Sequence, residues 1–114
     1  MAIQGEQFLD VANWIYKNNS KHAEICYRCS VNRAYYAAFH VAKRYLKLPK
    51  RTTHKETIIL LKRNIAPAGE MLGTLYEARR DADYDLTQYV SQAKADECVK
   101  QAARIIKKID SKSK

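Results

Sequence analysis

The chain has 114 residues, 46% hydrophobic and 29% charged, with only three glycines and two prolines. That length suits one domain with a real core, and so little Gly and Pro favours long helices over many turns. No run of about 18 apolar residues is present, which excludes a membrane-spanning helix, while a net charge of +9 from 21 basic and 12 acidic residues favours polyanionic partners.

Apolar residues recur at helical spacing nearly throughout, and no stretch alternates with period two. A first helix is predicted from Gln4 to Lys17, with Phe8, Val11, Ala12 and Ile15 facing inward. Asn18-Asn19-Ser20 breaks it, and Ser20 suits the N-cap of the next helix. That second helix is predicted from Lys21 to Leu48, with a spine of Ala23, Cys26, Ser30, Ala34, Ala37, Val41 and Tyr45, and Pro49 stops it. Thr53-His54-Lys55-Glu56 has the spacing of a capping box and opens a third helix. Ile58, Leu61 and Ile65 are its apolar positions, and Pro67 and Gly69 end it. A fourth runs from Glu70 to Ala82 with Met71, Leu72, Leu75, Tyr76 and Ala78, followed by a bend over Asp83–Leu86. The last begins near Ser91 and presents Ala95, Cys98, Ala102, Ile105, Ile106 and Ile109. The expected fold is all-α: an antiparallel bundle of about five helices in one domain over residues 1–110, with a basic tail at 111–114.

Charge is not spread evenly. Between Lys43 and Arg63 stand eight basic residues against one acidic residue, Glu56. Lys43, Arg44, Lys47, Lys50, Arg51 and Lys55 are therefore candidate nucleic-acid contacts, the alternative being a solvated helix end. The three cysteines are Cys26, Cys29 and Cys98. MAIQGEQFLD lacks the layout of a secretion signal, so a cytoplasmic location and free thiols are expected. His22, Cys26 and Cys29 share a helical face, yet a zinc site wants a fourth ligand and none is apparent. No metal is expected, and the cysteines read as small buried hydrophobes.

The stretch SVNRAYYAAFHVAKRYL, Ser30 to Leu46, holds the sharpest candidate. Seven helical residues turn through about 700°, so Arg33 and His40 face nearly the same way about 10 Å apart along the axis. With Tyr36 between them and Arg44 one turn on, they form a polar stripe on an otherwise apolar helix. Arginine offers a planar fork to phosphate oxygens, and histidine titrates near neutrality and can move a proton. The pair suits phosphodiester chemistry, and a two-fold dimer would bring two copies of it to one cleft. The alternative is structural: His40 hydrogen-bonded in the core and Arg33 paired with a carboxylate such as Asp83.

SVNRAYYAAFHVAKRYL resembles the core helix of the HEPN superfamily of small helical domains, in the branch with a signature close to R-A-Y-Y-A-x-F-H-x-A. RTTHKETI resembles that branch's Lys-Thr-His stretch, EARRDADYD its Arg-x-x-Ala-Asp-Tyr stretch, and VSQAKADECVKQAARII is similar to its last helix. The resemblance covers nearly the whole chain in order. It implies a metal-independent endoribonuclease of the toxin or defence type, without cofactor, working as a homodimer on RNA and leaving 2′,3′-cyclic phosphate ends. On it, Arg33 and His40 are the catalytic pair, with six residues between them. Arg79, Asp83 and Tyr84 fall on matching positions and imply support for Arg33, alongside Asn32 and Tyr36. A small nucleotidyltransferase antitoxin is the implied protein partner. The departure is Ala34, where the active nucleases commonly carry a polar residue. It keeps open a non-catalytic HEPN module that binds nucleotide, RNA or a nucleotidyltransferase.

Overall fold

The chain's structure, a computed structural model, describes residues 5–17 and 23–113, with side chains described for 5–14 and 23–113. Among the described residues the secondary structure is five α-helices and no strand: α1 (Gly5–Lys17), α2 (Ala23–Leu46), α3 (His54–Asn64), α4 (Ala66–Tyr84) and α5 (Gln92–Ser113). The expected helix starts at Gln4 and Lys21, the Ser20 cap and the side chains of Ile15 and His22 lie outside the described residues.

The central element is α2, packed against α1, α4 and α5 and more lightly against α3. Its alanines explain why so many neighbours fit. Ala34, Ala37, Ala38 and Ala42 are fully buried and let other helices approach closely. Ser30 is also buried on this spine, its hydroxyl donating to the Ala12 carbonyl at 2.8 Å, so it leaves no unpaired group. Gly5 lets α1 settle on α2, since a Cβ there would lie 2.9 Å from Val41 Cγ2. α1 runs antiparallel to α2, and α4 runs antiparallel to both α2 and α3, whereas α2 and α5 run the same way. Glu24 near the start of α2 accepts the Val90 N–H just before α5, and Asp110 near the end of α5 acts on Arg44 near the end of α2.

α1 buries Gly5 and Ala12 and half-buries Phe8 and Leu9, the i, i+3, i+4, i+7 stripe of one face. Val11 falls off that face and is 46% exposed, contrary to its predicted inward position. α2 ends at Leu46 rather than Leu48. The Lys47 N–H bonds to Arg44 O and the Leu48 N–H to Lys43 O, a Schellman pair that puts Lys47 at φ +55°. The Thr53–Glu56 capping box forms as predicted, with both reciprocal bonds.

The junction of α3 and α4 departs from the sequence reading. α4 starts at Ala66 and takes Pro67 into its first turn, where a missing N–H costs nothing. Ile65 alone is the hinge. Gly69 is not a breaker but a point of close approach: a Cβ there would sit 2.3 Å from Lys62 Cα. At its other end α4 continues through Asp83 and Tyr84, because Arg28 reaches across from α2 to its C-terminal carbonyls. Arg28 donates to Ala82 O at 2.9 Å, to Asp85 O at 3.1 Å and to the carbonyl of Gln88. A cation at a helix C-terminus also suits the helix dipole. The bend therefore begins at Asp85. Residues 111–113, expected in a tail, are the last turn of α5.

Candidate functional site

The polar stripe of α2 lies at the surface. Arg33, His40 and Arg44 are exposed and Tyr36 is half-buried. What the sequence did not reveal is the role of α1. Phe8 lies against the stripe between its two key members, with the Arg33 guanidinium 5.8 Å and the His40 ring 5.2 Å from its centroid. Tyr36 also stacks on His40, at 5.8 Å. α1 is clamped there by Glu6, whose carboxylate takes both terminal nitrogens of Arg44 at 2.7 and 3.2 Å. That bond to Arg44 holds the Glu6 carboxyl below its ordinary range. No sequence spacing announces a contact between helices, so Phe8 read only as core.

Neither part of the structural alternative is found. Among the described residues Arg33 has no carboxylate partner; Asp83 is taken by Arg79 at 3.2 Å and by Asn32 at 2.9 Å. His40 stays at the surface, though Phe8, Tyr36 and Phe39 flank its ring. The water they displace lowers its pKa, and Lys43 lowers it further, so the imidazole is neutral at pH 7. A neutral imidazole can accept a proton.

Behind the stripe lies a second layer. Arg79 of α4 is buried, 7% exposed, with its guanidinium 5.4 to 5.6 Å from the rings of Tyr35, Tyr36 and Tyr76. Burial opposes its charge, but the Asp83 bond and the nearby Tyr36 and Tyr35 oxygens outweigh that and raise its pKa. Among the described residues its Nε has no hydrogen-bond partner. Asp83 thus ties Arg79 to Asn32, the neighbour of Arg33, so Arg79 and Asp83 of EARRDADYD hold Asn32 rather than Arg33 itself. Tyr84 does not join them: it is 73% exposed on the far side of the α4 terminus.

His54 enters this layer as well. Its Nδ1 lies 2.6 Å from the Tyr35 hydroxyl, and its ring stacks on Phe39 at 4.4 Å and on Tyr76 at 5.7 Å. Burial, then Arg79, Lys43 and His40, lower its pKa. From the sequence, His54 reads as a capping-region histidine that could also line the cleft.

Of the basic candidates, Lys47, Lys50, Arg51 and Lys55 are exposed around the α2–α3 link. Lys43 is half-buried, lying 5.5 Å from the Phe39 ring while donating to Lys50 O. Arg44 is committed to Glu6. Cys98 is buried in the core, as expected, but Cys26 is half-buried and Cys29 exposed. Among the described residues no group of three His, Cys, Asp or Glu side chains is placed to hold a metal ion, and no helix is long and apolar enough to cross a membrane. Compared with known proteins, the chain matches no family model, no curated protein and no solved structure.

Proposed function

We propose that the protein is a metal-independent endoribonuclease of the HEPN type that works as a homodimer, with Arg33 and His40 as its catalytic pair. The observation that carries this reading is the shared Phe8 platform, which holds an exposed guanidinium and a neutral imidazole 5.8 and 5.2 Å from one ring. His40 takes the proton of a ribose 2′-hydroxyl. The 2′-oxygen forms its bond to phosphorus, the bond from phosphorus to the 5′-oxygen breaks, and that oxygen takes a proton from water, or from the second imidazole of the dimer when that one is protonated. Arg33 stabilises the charge that builds on the phosphate oxygens. The products are a 2′,3′-cyclic phosphate and a 5′-hydroxyl. The exposed basic residues from Lys47 to Lys55 hold the strand, and a nucleotidyltransferase is the proposed antitoxin partner.

One observation favours a second reading. Ala34, where the resembling nucleases commonly carry a polar group, is fully buried, so the arginine's neighbour offers nothing to a substrate. On that reading the chain is a HEPN module that binds RNA or nucleotide without cutting it.

Incubating RNA with the purified protein in EDTA separates the two. The nuclease reading expects cleavage, and Arg33→Ala and His40→Ala each lower it by at least a hundredfold while far-UV circular dichroism stays unchanged. RNA binding by all three proteins with cleavage by none establishes the binding module instead.

A further inference from the structure

Three basic side chains converge on the buried ring of Phe39 from two helices. His54 of α3 stacks on it at 4.4 Å, His40 of α2 meets it at 5.4 Å, and the Lys43 ammonium lies 5.5 Å from its centroid. Arg79 adds a guanidinium behind Tyr35, Tyr36 and Tyr76. The carboxylates nearby are engaged elsewhere: Asp83 holds Arg79 and Asn32, and Glu56 turns back to Thr53 in the capping box. Among the described residues no acidic group pairs with His40, Lys43 or His54. Lys43 is thus a standing cation that no carboxylate offsets, and the two imidazoles beside it gain charge only on protonation, which a bound anion favours.

Tyr35 decides which way His54 presents its hydrogen. The phenol is fully buried and held neutral, and His54 Nδ1 at 2.6 Å is its hydrogen-bond partner. A buried hydroxyl donates where it can, so in neutral His54 the Nδ1 accepts and the ring hydrogen sits on Nε2. In the imidazolium form Nδ1–H donates to the phenol oxygen and Nε2 still carries hydrogen. Nε2 is an N–H donor in both charge states. It makes no hydrogen bond among the described residues, nor is it a buried atom left without a partner.

We propose that His54, Lys43 and His40 form a seat for a phosphate group, with His54 Nε2–H and the Lys43 ammonium as its principal donors. The ligand class is a phosphate ester, either a diester within an RNA strand or the terminal phosphate of a nucleotide. Because His40 belongs both to the seat and to the Arg33 pair, the seat holds the phosphate next to the one cleaved; that placement rests on the nuclease reading, whereas the seat does not. The charged and titratable groups facing His54 are Tyr35, Tyr36, His40 and Lys43 from α2 and Tyr76 and Arg79 from α4.

The test is an NMR titration of the histidine ring protons of the full chain at constant ionic strength. The probes are inorganic phosphate and a dinucleoside monophosphate without terminal phosphate. Inorganic phosphate should move the His40 and His54 signals together and raise the pH at which His54 titrates. Lys43→Met should weaken binding at least fivefold, and Arg33→Ala should leave it within twofold. A response to the dinucleoside monophosphate identifies a strand diester as occupant, and a response to phosphate alone identifies a terminal phosphate. An unmoved His54, or unchanged affinity in both Lys43→Met and His54→Ala, overturns the seat. Phosphate binding without RNA cleavage removes the nuclease reading and leaves the seat; cleavage with His54 unmoved does the reverse.

Discussion

Arg79 carries its charge beneath three tyrosine rings, and among the described residues only Asp83 answers it with a carboxylate, at 3.2 Å. Removing one member of such a pair leaves the other poorly compensated. Arg79→Leu should lower stability by about 2–4 kcal/mol in urea unfolding; a variant as stable as wild type contradicts the supporting role given to this layer. The two site histidines have a different signature. Burial leads the lowering of both pKa values. The folded chain therefore binds fewer protons than the unfolded chain once the pH falls below the ordinary histidine value of 6.5. Stability should be flat above that value and decline as the pH drops through it toward the folded values. Urea midpoints at pH 7.5 and 5.5 measure the decline, and His54→Gln should shrink it. At this scale Arg79 was a candidate through the family resemblance alone, whereas the sequence itself showed Arg33 and His40 as candidates, because residue type and spacing along one helix are visible there. Phe8 and the Tyr35–His54 bond were not, since each joins residues brought together only by packing.

Two positions govern how the helices begin and end. Lys47 sits at φ +55°, a conformation that costs an L side chain energy and costs glycine almost none. Lys47→Gly should stabilise by about 0.5–1 kcal/mol. Gly69→Ala should destabilise by about 1–3 kcal/mol, because the added methyl would meet Lys62 backbone atoms, which cannot swing away. Thermal unfolding of the pair checks both signs, and a neutral Gly69→Ala would mean α3 and α4 are less closely packed than the structure has them. The helices themselves were legible from period and from the capping box. Their ends were less so, for physical reasons. Pro67 is a breaker inside a helix and harmless in its first turn, and the α4 terminus depends on Arg28, more than 50 residues away in sequence.

Over the whole molecule the basic residues divide by use. Arg28, Arg44 and Arg79 are spent on the fold through carbonyls, Glu6 and Asp83, whereas Lys47, Lys50 and Arg51 stand exposed at one end. Net charge alone hid that division. Changing Lys47, Lys50 and Arg51 together to Gln should flatten the dependence of log RNA affinity on log salt by about 2, at roughly 0.7 per lost single-strand phosphate contact. An unchanged slope would place the strand elsewhere.

The proposed chemistry turns on a ribose 2′-hydroxyl giving its proton to His40 beside Arg33. The most direct measurement compares a defined single-stranded RNA with the same sequence carrying one 2′-deoxy residue at the cut position, both in EDTA. Cleavage of the first with a 2′,3′-cyclic phosphate end, and none of the second at that position, is the predicted result. Equal cutting of both strands, or no cutting of either, contradicts it.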